Sequence, residues 1–100
     1  MAYSILITTK GKKQRDIPFA AHQTYKLYWK PLMENNKDFT ILPLFEYSYS
    51  LTQEEFEKLK MELLIAKNII ADKDIIERIN FLTRVLSEID YDDLEDFYIG

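Results

Sequence analysis

Residues 51–89, LTQEEFEKLKMELLIAKNIIADKDIIERINFLTRVLSEI, decide the fold. The stretch opens with Leu51-Thr52-Gln53-Glu54-Glu55-Phe56. The Thr52 hydroxyl is placed to accept from the Glu55 backbone N–H, and the Glu55 carboxylate to accept in return from the Thr52 N–H. Leu51 and Phe56 then hold the staple positions on either side. A helix therefore starts at this point. Phe56, Leu59, Leu63, Ala66 and Ile70 follow as one apolar stripe at alternating three- and four-residue spacing. Glu54, Glu57, Lys58, Glu62 and Lys67 lie off the stripe, on the face expected to meet solvent. Early acids and a late Lys67 suit the helix dipole.

Ala71-Asp72-Lys73 reads as a turn, and Asp74 with Glu77 as a second, weaker capping box. Ile75, Ile79, Leu82, Leu86 and Ile89 mark the second helix, with Ile76, Phe81 and Val85 as a further apolar flank. Two helices joined so closely must run antiparallel. The second has too wide an apolar surface for the first alone, so it is expected to cover a sheet as well.

Working outward toward the start of the chain, residues 2–9 (AYSILITT) are β-branched and alternating. They predict a strand, buried on both faces near Leu6. Lys10, Lys12, Lys13 and Arg15 make a basic turn, best read as a solvated hairpin loop. Residues 17–19 return as a short strand, and Pro18, which lacks a donor, places it at a sheet edge. Residues 20–36 predict a helix, with Tyr25, Tyr28/Trp29 and Leu32/Met33 at helical spacing and Pro31 expected to kink or break it. Residues 39–49 (FTILPLFEYSY) predict a second clear strand, with Phe45, Tyr47 and Tyr49 on one face. Beyond the hairpin, Asp90, Asp92, Asp93, Glu95 and Asp96 form an acidic turn. Residues 97–99 then predict a short closing strand, paired beside residues 2–9.

The fold class expected is α+β: a small sheet of three to four strands, covered by an antiparallel helical hairpin plus one further helix. One hundred residues make a single domain, 1–100, with one core. Two glycines leave no room for a phosphate-cradling or dinucleotide loop. The absence of cysteine points to a reducing compartment, and the lack of a leader pattern or long apolar run points to a cytoplasmic chain without a membrane partner.

Charge is unevenly spread. Residues 1–50 hold seven Lys/Arg against four Asp/Glu, and residues 51–100 six against thirteen. That acidic half favours basic partners and argues against direct binding to nucleic-acid phosphates. His22 is the only histidine and has no second His or Cys to complete a metal or catalytic set. The acidic cluster lacks the glycine of a calcium loop, and no serine sits in a nucleophile-elbow context. The expectation is a binding protein, with no enzyme activity, cofactor or metal.

In general character the chain resembles the small immunity proteins of bacterial toxin systems, including those of contact-dependent growth inhibition. The resemblance lies in its size, its acidity and its tyrosine-bearing acidic end: Asp90, Tyr91, Asp92, Asp93, Glu95, Asp96 and Tyr98. It implies a protein that occludes the active site of one cognate toxin, a basic nuclease being the type partner. Glu88, Asp90, Tyr91, Asp92, Asp93, Glu95, Asp96 and Tyr98 would then form the partner-binding surface. The competing class is a self-associating structural or regulatory adaptor, using the Tyr25–Trp29 cluster or the Ile76/Phe81/Val85 flank as a twofold interface. Monomer and homodimer are both open at this point.

Overall fold

The computed structural model describes residues 2–11 and 13–100, so Lys12 of the basic turn lies outside the described residues. Strands β1 (Ala2–Thr9) and β2 (Gln14–Ala21) form a hairpin. Helix α1 covers 22–34, and a 3-10 turn covers Leu42–Glu46. Strand β3 is only Tyr49–Ser50. Helices α2 (Gln53–Ile69) and α3 (Lys73–Ser87) make the antiparallel hairpin. A 3-10 turn at Tyr91–Asp93 then leads into β4 (Leu94–Ile99). The sheet is antiparallel, in the order β2-β1-β4-β3. This is a small α+β fold, and β4 pairs with β1 as expected.

One face of the sheet is apolar and covered. Ile5, Ile7, Ile17, Phe19, Phe97 and Ile99 are buried, and Phe56 of α2 meets Phe97 edge-on at 4.9 Å. The core is one cluster that also takes Leu59, Leu63 and Ala66 from α2 and Ile75, Ile79, Leu82 and Leu86 from α3. The opposite sheet face carries Leu6, Asp16, Pro18, Asp96 and Tyr98 and is open. Leu6 is thus only half-buried, which corrects the expectation of burial on both faces there.

The Thr52–Glu55 capping box forms as the sequence predicts, with both bonds present. At α3 the cap is Asp72 rather than Asp74. Its carboxylate accepts from the N–H groups of Asp74 and Ile75, because the chain turns helical two residues earlier than the sequence pattern suggests.

Pro18 does sit on an edge strand, but that strand is eight residues long and runs through Ala21, so α1 begins later than predicted. Pro31 does not break α1. Residues Tyr25–Trp29 form a π-helical turn, and the Lys30 N–H bonds to the Tyr25 carbonyl five residues back. The wider turn relieves the clash between a proline ring and the carbonyl four residues before it.

Residues 39–48 are not a strand; only Tyr49, at the end of the expected run, enters β3. Pro43 removes one donor, and the N–H groups of Thr40, Ile41 and Leu42 are directed into a side chain instead of a neighbouring strand. Phe45 is buried while Tyr47 is 74% exposed, so the predicted shared face does not exist. Among the described residues no helix is long and apolar enough to cross a membrane.

Candidate functional site

The acidic end is built at the exit of α3. Glu88 ends that helix, its N–H donating to the Val85 carbonyl. Asp90 caps the next turn, its carboxylate accepting from the Asp92 N–H at 3.0 Å, and the Asp93 N–H returns to the Asp90 carbonyl. These two bonds fix the turn and leave Asp92 and Asp93 pointing into solvent. The Lys10 N–H donates to the Asp93 carbonyl at 3.0 Å, so the basic β1–β2 turn lies beside the acidic exit.

Leu94, Glu95 and Asp96 belong to β4, which starts three residues earlier than predicted. The register slips between Thr8 and Thr9: Thr8 faces Asp96 and Thr9 faces Leu94. Glu95 is therefore the extra residue of a bulge, a device that re-aims a side chain at a sheet margin. Asp96 and Tyr98 lie on the open sheet face, Tyr98 between Leu6 and Ser50.

Tyr91 stands apart from the other predicted contact residues. Its hydroxyl donates to the Leu51 carbonyl at 2.8 Å, and its ring packs 5.6 Å from that of Phe56. It is a strut that ties the exit turn to the start of α2. Glu88, Asp90, Asp92, Asp93, Glu95 and Asp96 are all exposed. The ion pairs among the described residues, Lys30–Glu46 and Lys60–Glu57, use none of them.

The two faces named for self-association are mostly consumed by the core. Tyr25, Trp29 and Val85 are buried, and Ile76 and Phe81 are half-buried. His22 packs against Tyr3 with ring centroids 4.2 Å apart and the planes tilted by 38°. No group of three His, Asp or Glu among the described residues is arranged to hold a metal ion.

Glu62 departs most from its sequence reading. It lies off the apolar stripe of α2, yet it is 1% exposed. Its Oε1 accepts from the N–H groups of Thr40, Ile41 and Leu42 at 3.0–3.1 Å, and its Oε2 from the Ile41 N–H and the Thr40 hydroxyl. The carboxylate thus caps the Leu42–Glu46 turn from a distant helix. Burial pushes this carboxyl above its ordinary value, and the three N–H donors pull it part of the way back. The Tyr25 hydroxyl completes the site by donating to the Leu42 carbonyl at 3.1 Å. Burial, with Glu46 as a lesser influence, keeps that phenol protonated well above its usual range. The sequence signal for this site is faint: a lone Glu next to the core residue Leu63, and a proline-containing run that cannot ladder.

No family model matches the chain, and neither does any curated protein or solved structure.

Proposed function

We propose that this protein is a non-catalytic inhibitor that binds one basic protein partner, with a toxin nuclease domain as the type partner, through the acidic exit of α3. The observation that carries this reading is the set of exposed carboxylates on Glu88, Asp90, Asp92, Asp93, Glu95 and Asp96, which form no ion pair among the described residues. Their backbone is held by the Asp90 cap, the Tyr91 hydroxyl and the Lys10–Asp93 bond. A pre-ordered surface loses little entropy on binding.

Carboxylates held in this way are suited to meet Lys and Arg side chains that otherwise grip substrate phosphates, in charge-assisted pairs that also steer association. Tyr98, half-buried on the open sheet face beside Asp96, adds contact area at the margin. Inhibition by this route is occlusion and needs no chemistry from the inhibitor.

The test is co-expression with the product of the adjacent reading frame. Rescue of the host from that product, and loss of rescue in a folded Asp92→Asn/Asp93→Asn/Glu95→Gln variant, is the expected result. An adjacent frame that encodes no toxin, with no rescue of the host from one, removes this reading.

A further inference from the structure

Strand β2 ends in an irregularity. Tyr3 faces Ala20 and Ser4 faces Pro18, so Phe19 is the extra residue of a bulge. A bulged strand bends, and the next two residues, Ala20 and Ala21, are too small to fill the space beside the bend. A cleft of about 230 Å³ results, between the end of β2, α1 and the first turns of α3. Its floor is apolar, since Phe19, Trp29 and Ile75 line it and are buried. Its mouth carries one anion and one cation, the exposed Asp74 and Arg78 of α3.

Opposite charges four residues apart on a helix ordinarily pair. These two do not: neither belongs to an ion pair among the described residues. The Arg78 guanidinium lies instead 5.5 Å over the Phe81 ring. Both charges therefore stand ready for a third group.

We infer that this cleft binds a free aromatic α-amino acid, with its ring over Phe19 and Trp29, its carboxylate on Arg78 and its ammonium on Asp74. Size and charge together select that class. A cavity of ~150 Å³ holds benzene, so this cleft takes a single ring with a short polar head. A bare carboxylate would gain Arg78 and be repelled by Asp74, and a bare amine the reverse. A zwitterion satisfies both, through charge-assisted bonds. Apolar walls with a few placed polar groups are also the usual make-up of a small-molecule site. The cleft lies at the start of α3 and the acidic exit at its end, so the inference does not rest on the toxin-binding reading.

Trp29 is the only tryptophan, so its emission reports on the cleft directly. Titrating the whole protein with L-phenylalanine should change that emission saturably. Glycine, which has both charges and no ring, should leave it unchanged. 3-Phenylpropionate lacks the ammonium and phenethylamine the carboxylate; each should bind about tenfold more weakly. Arg78→Ala should raise the Kd for L-phenylalanine about tenfold with an unchanged melting curve, its side chain being exposed. Asp74→Asn should weaken L-phenylalanine while leaving 3-phenylpropionate undiminished, which a merely structural role would not do. No saturable response to L-phenylalanine overturns the inference. So does a wild-type protein that holds 3-phenylpropionate or phenethylamine as tightly, or an Arg78→Ala variant with an unchanged Kd.

Discussion

Glu62 and the exit of α3 hold the same functional group in opposite surroundings. The Glu62 carboxylate is enclosed and accepts from three backbone N–H groups and a hydroxyl. The carboxylates of Asp92, Asp93 and Glu95 stand in water, and the backbone around them is fixed without their help. A buried acid surrounded by donors belongs to the fold, since its removal strands every donor it served. An exposed acid with no internal partner adds little to stability and remains available to another molecule. Clustering in the sequence marks the second kind, whereas the first is a single residue that a helical wheel assigns to solvent.

The largest expected effect breaks the first region. Glu62→Ala leaves the N–H groups of Thr40, Ile41 and Leu42 without an acceptor in a dry site. It should cost roughly 4 kcal/mol, read as a lower denaturation midpoint in urea. Protection of those three amides from hydrogen exchange should fall with it.

Glu62→Gln is milder and sharpens the comparison through pH. Because burial raises the folded-state value above the ordinary 4.5, folding favours the protonated acid. The stability that Glu62 contributes is therefore fully present below that ordinary value and is lost as pH rises through the higher folded one. Glutamine does not titrate. The wild-type advantage over Glu62→Gln should shrink as pH rises from the acidic side toward neutrality in paired melts. An advantage that grows instead would mean that the N–H donors outweigh desolvation.

Asp72→Ala is expected to be smaller again. It removes a cap from two N–H groups that water can partly reach, for a loss of about 1 kcal/mol in the same urea series. The smallest change in stability comes from the exit. Asp92→Asn, Asp93→Asn and Glu95→Gln should leave the melting temperature within experimental scatter, while binding to a basic partner weakens and becomes less sensitive to salt.

The same contrast explains what could be read from the chain. The helical hairpin was legible because its determinants are local: a capping box within four residues and stripes at helical spacing. The edge position of β2 followed from a single proline, and the pairing of β4 with β1 from the proximity of chain ends. The strand expected over residues 39–49 was misread because its backbone donors are claimed by Glu62, a residue about twenty positions away, which no local pattern announces. Pro31 misled in a related way, since the π turn that accommodates it depends on holding both Tyr25 and Trp29 in the core. At the candidate site the acids were legible as a cluster. The inward role of Tyr91 was not, because its acceptor, the Leu51 carbonyl, is forty residues distant.

The sheet order has a consequence in time. Its central pair joins β1 to β4, with Ile5 opposite Ile99, across nearly the whole chain. The β1–β2 hairpin and the α2–α3 hairpin can form on near-neighbour contacts, whereas the central pair must wait for a long loop to close. In this order of events β4 docks last, and the Lys10–Asp93 bond and the bulge at Glu95 come with it. The acidic exit is then assembled only when folding is complete, so an unfinished chain would not present the surface proposed here for a partner.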